Sequence, residues 1–241
     1  MIKRIVYIIL LVMNSIVYST SLTIGVLAFA PPFSLLSGNN NSSGFSIDLM
    51  NEICKRIDVH CRYKELLFLD QEKILKSGGV DIVLTLTPIS SIDDKYYSSS
   101  LPYLPSNAQF LTLKNNGIKT INDLKNKKIG VVKISLFLSY LQNKKMFSEI
   151  IEFNNLSDLI SAIVNKKVDA VIMDHNIALY TVNGNFIENG ILIGDEIPFG
   201  LGYGMFALKK NAALISKINS ALLNIESDGT YTFIYNKYFS K

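Results

Sequence analysis

Gly79-Val80-Asp81-Ile82-Val83-Leu84-Thr85-Leu86-Thr87 decides the fold of this chain, because its pattern recurs about 90 residues later as Lys167-Val168-Asp169-Ala170-Val171-Ile172-Met173-Asp174. Each stretch is a polar turn, then Val-Asp, then an apolar run that ends in a polar residue. Such a run is typical of a buried strand in a parallel sheet. Ligands of open α/β sheets lie beyond the carboxyl ends of these strands. The repeat therefore predicts two lobes that hold one ligand between them, although the pattern also occurs in ordinary α/β proteins.

Strands and helices alternate along the rest of the chain, which predicts the α/β class with mostly parallel sheets flanked by helices. The predicted elements of the first half are strand 21–29, helix 47–57, strand 59–66, helix 70–76 and a strand that begins at Val80. Ser46 is expected to cap the first of these helices. A second set of strands and helices runs from residue 121 to residue 173.

The last apolar helix, 212–225, is expected to return to the first lobe, so the chain crosses between the lobes twice, near residues 109–113 and 198–204. The glycines of the second crossing permit a hinge rotation. The predicted organisation is a signal peptide at 1–19, lobe 1 at 20–109 with 203–241, and lobe 2 at 110–202.

The first nineteen residues have the composition of a secretory signal peptide. Lys3 and Arg4 precede an apolar run over residues 5–12, and a permissible cleavage site ends at Ser19. The alternative is a membrane anchor. Asn14, however, interrupts a run that is already much shorter than the roughly 20 apolar residues of a spanning helix. The prediction is export to the periplasm and removal of this segment.

The composition excludes disorder and gives no sign of nucleic-acid binding. Of 241 residues, 49% are hydrophobic and 18% charged, and the formal net charge is only +4. Basic residues are dispersed rather than clustered, so no electrostatic surface for nucleic acid is predicted.

Export gives the two cysteines a specific meaning. Cys54 falls late in a predicted helix and Cys61 early in the next strand, so in an oxidising compartment they are expected to form one disulfide. A metal site is the weaker alternative, because His60, the neighbouring soft ligand, points to the opposite face of the strand from Cys61.

An ordered set of short motifs resembles the periplasmic amino-acid-binding proteins of ABC importers. The motifs are Ala30-Pro31-Pro32-Phe33, Gly44-Phe45-Ser46-Ile47-Asp48-Leu49, Gly79-Val80-Asp81-Ile82, Leu101-Pro102-Tyr103, residues 123–131, Val168-Asp169-Ala170-Val171 and Asp228-Gly229-Thr230-Tyr231. The segments around the two cysteines and at residues 199–205 are most similar to the histidine and lysine/arginine/ornithine binders. The resemblance covers nearly all of the chain after the signal peptide.

The resemblance implies a two-lobed periplasmic-binding-protein fold of type II that closes over a small polar solute, with amino acids as the main expectation. Its partners would be that small-molecule ligand, an amino acid or another small amine, and an ABC transporter permease in the membrane. It implies a monomer, no enzymatic activity and no cofactor or metal.

The resemblance also nominates ligand-binding residues. They are Phe29, Phe33, Phe68, Thr85, Thr87, Lys95, Ser135 and Asp174. Asp174 matches the carboxylate that pairs with the ligand α-amino group, with capping of the next helix as the weaker alternative. Phe68 matches the aromatic that stacks on the ligand side chain, or it belongs to the core. Thr85, Thr87 and Ser135 match donors for the ligand.

Several positions depart from the family pattern. Asp93 stands where the family has the arginine that binds the ligand carboxylate, and Lys95 replaces it only as a point charge. Leu27 stands where binders of basic amino acids place an acid, and Ala30 replaces an aromatic for which Phe29 is the available substitute.

These departures keep three classes of function open. Besides a transport receptor, the fold suits a periplasmic dehydratase-like enzyme or a ligand sensor with no transport role. An enzyme requires an acid or base in the cleft, for which Glu65, Glu196 and His175 are the available groups.

Overall fold

The computed structural model describes residues 21–37, 41–133, 135–184 and 186–240, so the predicted signal peptide lies outside the described residues. The strands are β1 (Ser21–Val26), β2 (Phe29–Ala30), β3 (Ser34–Ser37), β4 (Asn41–Ser43), β5 (His60–Glu65), β6 (Ile82–Val83), β7 (Tyr97–Ser99), β8 (Asn107–Leu113), β9 (Lys128–Val132), β10 (Glu149–Phe153), β11 (Ala170–Asp174), β12 (Gly190–Pro198) and β13 (Phe206–Leu208). The α-helices are α1 (Phe45–Arg56), α2 (Gln71–Lys76), α3 (Leu136–Lys144), α4 (Leu156–Val164), α5 (His175–Asn183), α6 (Ala212–Ser227) and α7 (Thr230–Phe239). Among these helices none is both long enough and apolar enough to cross a bilayer.

The elements form two five-stranded sheets, one per lobe, as the repeated pattern predicts. Lobe 1 has the strand order β5-β1-β6-β13-β7, and lobe 2 has the order β10-β9-β11-β8-β12. A small antiparallel sheet of β2, β3 and β4 accompanies lobe 1, and the sequence pattern did not predict it.

Each sheet is half antiparallel, which corrects the expectation of mostly parallel sheets. In lobe 1 the pairs β5-β1 and β1-β6 are parallel, but β13 runs antiparallel to both of its neighbours. In lobe 2, β8 likewise runs antiparallel to β11 and β12. The reason is topological, because β8 and β13 are the first strands after each crossing. They run away from the side of the lobe at which the parallel strands end.

The crossings lie at the ends of β8 and β12. Since β8 begins at Asn107 and pairs with β12 up to Pro198, the connecting segments are residues 104–106 and 199–203. The predicted lobe boundary between 109 and 110 therefore falls inside β8, while the boundary between 202 and 203 falls in the second connection.

The repeated Val-Asp pair has the same role in both lobes. Asp81 accepts a hydrogen bond from the Thr23 backbone N–H of β1 at 2.8 Å, and Asp169 accepts one from the Lys128 N–H of β9, also at 2.8 Å. In return the backbone N–H of each aspartate donates to the carbonyl of that same residue, at 2.8 and 2.9 Å. Each aspartate thus fixes the start of the neighbouring strand, which explains why the repeat marks equivalent places in the two sheets.

Each sheet buries apolar side chains on both faces. In β11, Val171 and Met173 belong to the largest core cluster, while Ala170 and Ile172 pack into a second cluster on the other face of the sheet. This explains the continuous apolar run of the sequence, because a strand covered on both sides has no solvent-facing position.

Helix α1 begins at Phe45, two residues before the start that a Ser46 cap predicts. Ser46 lies inside the helix, where its hydroxyl is 3.4 Å from the Tyr103 hydroxyl, so the prediction of a Ser46 cap is wrong. The N-cap is Gly44, with φ of 129° and a position where a Cβ atom would lie 2.2 Å from the Phe33 carbonyl oxygen. Only glycine fits this close approach.

The Cys54–Cys61 disulfide is present, as predicted, with its Cα atoms 6.0 Å apart. It joins the end of α1 to β5. Constraining so short a loop stabilises the fold by on the order of 2 to 3 kcal/mol in the chain-entropy account.

The two connecting segments bind each other through backbone and side-chain hydrogen bonds. Tyr203 pairs with Leu104 and with Pro88, and the Ile89 N–H donates to the Gly202 carbonyl at 2.9 Å. The buried Ser106 hydroxyl donates to the Phe199 carbonyl and accepts from the Gly202 N–H. The end of the Thr85–Thr87 stretch therefore lies directly against the second connection.

We expect Gly202→Ala to destabilise the protein severely. Gly202 has φ of 102°, and an added Cβ would lie 2.8 Å from the Leu104 carbonyl oxygen. The matched control is Gly78→Ala, since Gly78 also has a positive φ of 73° but nothing within 4 Å of its added Cβ. Denaturant unfolding of the two variants should show a loss of about 1 to 2 kcal/mol for Gly78→Ala and clearly more for Gly202→Ala. Equal losses would contradict the close approach.

Candidate functional site

Asp174 ends β11 and is buried, with only 3% of its surface exposed. Its Oδ1 accepts the Ile177 backbone N–H at 3.0 Å and so caps helix α5. Its Oδ2 accepts the Tyr203 hydroxyl at 2.9 Å. Tyr203 belongs to the second connection, so this carboxylate links lobe 2 to the segment that joins the lobes.

Burial raises the pKa of Asp174 from 3.8 to about 7, although hydrogen bonds from Ile177, Tyr203 and Asn176 act in the opposite direction. In the described part of the chain no Lys, Arg or His side chain forms an ion pair with it. A buried carboxylate without a cation is costly, because desolvation is not offset by an opposite charge. The site is therefore chemically complementary to a small cation.

Phe33 packs against Tyr203, the residue that donates to Asp174. Its ring is 2% exposed and lies edge-on to Tyr203, with centroids 6.2 Å apart, and to Phe45 at 6.5 Å. The structure thus places Phe33 in the core of lobe 1, and its contact with a ligand stays a prediction. Sequence reasoning missed Tyr203, whose role depends on pairing across the molecule.

Thr85 and Thr87 lie together just beyond β6 and share a partner that the sequence analysis did not single out. Their hydroxyls are 2.8 Å apart, and the Gln71 amide oxygen lies 2.9 Å from Thr85 and 3.3 Å from Thr87. Gln71 begins α2 and follows the short 3₁₀ helix Phe68–Asp70. The only available signal was its spacing of three residues from Phe68, which puts both side chains on one face.

Phe68 is 36% exposed, so its ring is not part of the core. It lines a surface depression of about 740 Å³ together with Gln71 and other residues of α2. Phe29 is also exposed, at 55%, on the small β2-β3-β4 sheet.

Ser135 is the N-cap residue of α3. Its hydroxyl oxygen is buried and has no hydrogen-bond partner among the residues that the structure describes. The preceding residue, Ile134, lies outside those residues. A buried hydroxyl beside the free N–H groups of a helix start is a site that an anion can occupy.

Lys95 and Asp93 belong to an exposed turn before β7. The Asp93 carboxylate accepts the Lys95 backbone N–H at 3.0 Å, and the Lys95 ammonium lies 5.2 Å from the Tyr96 ring centroid. Within the described residues, the Lys95 side chain forms no hydrogen bond or ion pair with the other candidates. Its contact with a ligand also stays a prediction.

His175 follows Asp174 and ties three elements together. Its Nδ1 lies 2.7 Å from the Gln109 amide oxygen of β8, and its Nε2 lies 3.3 Å from a Glu196 oxygen of β12. Asn107 donates to the other Glu196 oxygen at 2.6 Å. These contacts hold the N-terminus of α5 against β8 and β12, so His175 has a positioning role. In the described chain no three His, Cys, Asp or Glu side chains form a group suited to a metal ion.

Two buried polar centres thus lie at the strand ends of two α/β lobes, one around Asp174 and one around Thr85. The connection at Pro88 and Tyr203 joins them. This arrangement defines a two-lobed binding protein.

Comparison with known proteins agrees with this class. Residues 22–241 match the model of the bacterial extracellular solute-binding proteins, family 3. The chain is 29% identical over 218 residues to ABC transporter arginine-binding protein 1 of Escherichia coli strain K12, covering 89% of each chain.

Solved structures show the same fold. The crystal structure of an arginine third transport system periplasmic binding protein from Legionella pneumophila is 36% identical, with a TM-score of 0.82 over 92% of this chain and 100% of that one. An ancestral arginine-binding protein bound to glutamine is 31% identical, with a TM-score of 0.79 over 92% of this chain and 98% of that one.

The chain therefore belongs to the bacterial extracellular solute-binding proteins, family 3, and has their type II fold. It is a solute-binding protein of a family that works outside the cytoplasm.

Proposed function

We propose that this protein is a periplasmic receptor that captures a free α-amino acid between its lobes and delivers it to an ABC transporter permease. The observation that carries the proposal is the buried Asp174 carboxylate, which has hydrogen-bond donors but no cation in the described chain. The α-ammonium group of an amino acid supplies that cation. A charge-assisted hydrogen bond in a desolvated site is also stronger than the same contact in water.

In this proposal the ligand carboxylate is bound by hydrogen-bond donors from both lobes rather than by an arginine. The unpartnered Ser135 hydroxyl and the free N–H groups at the start of α3 offer one such place. Backbone N–H groups near Thr87 offer a second place, in lobe 1. Neutral donors at a helix N-terminus bind a carboxylate without the bidentate geometry of a guanidinium.

Closure is assigned to the two connecting segments, 104–106 and 199–203. Tyr203 lies in one of them and bonds to Asp174, so a ligand at Asp174 sits where the two lobes rotate against each other. A ligand that contacts both lobes favours the closed state, because only that state makes both sets of contacts. The closed form is the one that a permease would recognise.

The relatives support an amino acid as the ligand class, since their names specify arginine or glutamine. Removal of residues 1–19 on export, a periplasmic location and a monomeric state complete the proposal. No catalytic step belongs to it, so a bound ligand should be recovered chemically unchanged.

The test is a titration of the mature protein at pH 8 against the twenty amino acids, ornithine, citrulline and simple amines. At least one α-amino acid should bind with one-to-one stoichiometry in calorimetry. A ligand present at a thousand times its Kd should stabilise the protein by about 4 kcal/mol in a thermal-shift assay. Mass spectrometry of the recovered ligand checks that it is not converted.

The matched control is the Nα-acetyl derivative of the best ligand, which keeps the side chain and carboxylate but lacks the ammonium group. It should not bind measurably. Equal binding of the acetylated compound, or binding of no free amino acid, would rule out the proposed function.

A further inference from the structure

The amide oxygen of Gln71 accepts hydrogen bonds from its neighbours, so only the amide nitrogen of this side chain remains without a partner among the described residues. The Thr87 hydroxyl lies 2.8 Å from the Thr85 hydroxyl, and the Thr85 hydroxyl donates to the Gln71 amide oxygen at 2.9 Å. Both threonines are buried, and both hydroxyls lie within hydrogen-bond distance of the Gln71 amide oxygen, so this oxygen is already occupied as an acceptor. In the described residues the amide nitrogen has no hydrogen-bond partner.

The free end of Gln71 is consequently a donor and not an acceptor. Its two N–H bonds match a carbonyl or ureido oxygen. A guanidinium or an ammonium group carries donors only, so it has nothing to accept these N–H bonds. Placing a cation there would leave polar groups on both sides without partners, which is costly in a site that excludes water.

The charges around Gln71 point the same way. Lys73 and Lys76 line the same depression as Phe68 and Gln71. The acid in its lining, Glu72, already accepts the Tyr97 hydroxyl at 2.7 Å and the Lys76 ammonium at 3.0 Å. The depression therefore offers positive charge and donors beside an exposed aromatic ring, and no carboxylate that is free of partners.

We propose that Gln71 determines specificity in the subsite for the ligand side chain, and that it selects a side chain ending in a carboxamide or ureido oxygen over a cationic one. This inference rests on the proposed function, because it assumes that an amino acid binds with its ammonium group at Asp174. It adds the chemical class of the side chain, and it separates this chain from relatives whose names specify arginine.

Citrulline and arginine provide the sharpest comparison, because they have the same length and differ in a ureido oxygen against a cationic nitrogen. Calorimetry should show that the wild type binds citrulline at least about tenfold more tightly than arginine, the size expected for leaving polar groups unpaired. Glutamine should also bind more tightly than lysine.

Gln71→Glu should reverse the preference. The glutamate keeps an oxygen for the Thr85 hydroxyl and presents a second, charged oxygen where the amide nitrogen was. Citrulline should bind about tenfold more weakly and arginine about tenfold more tightly than in the wild type. The ratio of citrulline to arginine affinity should therefore fall at least about a hundredfold. Gln142→Glu is the matched control, since it makes the same change at an exposed position of α3 and should leave the ratio unaltered.

Gln71→Leu gives a second measurement in case the glutamate variant does not fold. It removes the donors without adding charge, so the two affinities should approach each other. Equal binding of citrulline and arginine by the wild type, or an equal shift in Gln142→Glu, overturns the inference. So does binding confined to amino acids without a side-chain acceptor, although the proposed function would then stand. If no amino acid binds, both fail together.

Discussion

Asp174→Asn is expected to weaken binding of the best amino acid from the titration at least about 30-fold at pH 8. The substitution removes one charge from an ion pair in a desolvated site, a loss that typically costs 2 to 5 kcal/mol or more. Asparagine keeps the shape of the side chain and can still accept the Ile177 N–H that caps α5. Calorimetric titration of the variant and the wild type measures the difference.

The pH dependence of binding gives a second readout of the same group. Burial raises the pKa of Asp174 to about 7 in the unliganded protein. Below that pH the carboxyl group is protonated and must release its proton before it pairs with an ammonium group. The affinity of the wild type should therefore fall about a hundredfold between pH 8 and pH 5, while that of Asp174→Asn stays nearly constant.

Asp58→Asn is the control for both measurements. Asp58 is exposed and has a positive φ of 57°, which asparagine tolerates, so the same chemical change should alter neither affinity nor its pH dependence. An Asp174→Asn variant that binds as tightly as the wild type would show that the ligand amine lies elsewhere.

We further expect Asp174→Asn to be more stable than the wild type when no ligand is present. In the folded protein the pKa of Asp174, about 7, lies above its ordinary value of 3.8, chiefly because burial removes the carboxylate from water. The folded protein therefore holds a proton that the unfolded chain releases, and the wild type loses stability as the pH rises from about 4 to 7. Above pH 7 the full penalty is on the order of 4 kcal/mol.

Replacing the carboxylate removes that penalty. At pH 8 the melting temperature of the variant should exceed that of the wild type by at least about 5 °C, and the difference should shrink as the pH falls toward 4. Thermal unfolding at both pH values without ligand is the measurement. A variant that is less stable at pH 8 would show that the charge of Asp174 is already compensated within the protein.

Local sequence was sufficient to predict the two sheets. The Val-Asp pairs at Asp81 and Asp169 mark equivalent strand starts because each makes the same short-range hydrogen bonds to its neighbouring strand. The direction of β8 and β13 was harder to predict, since an apolar run has the same composition in either direction. The direction of these two strands is decided only by the route that the chain takes between the lobes.

The site was predictable in part. Asp174 is identifiable as the polar end of a buried strand, whereas Tyr203 is not, because nothing near Tyr203 in the sequence indicates that it meets a residue 29 positions away. Gln71 was missed for the same reason, as its partners lie 14 and 16 residues further along. The Ser46 cap failed because the rule for capping residues does not include the crowding against Phe33 that requires a glycine at position 44.

The position of β13 in the first sheet affects the order in which the lobes are completed during synthesis. Lobe 2 is one continuous stretch from β8 to β12, so all five of its strands emerge together. The sheet of lobe 1 is completed later, because β13 lies between β6 and β7 and is followed by the two helices that end the described chain. A nascent chain that lacks its last 40 residues therefore has a divided first sheet, so lobe 1 can be completed only after synthesis has reached β13.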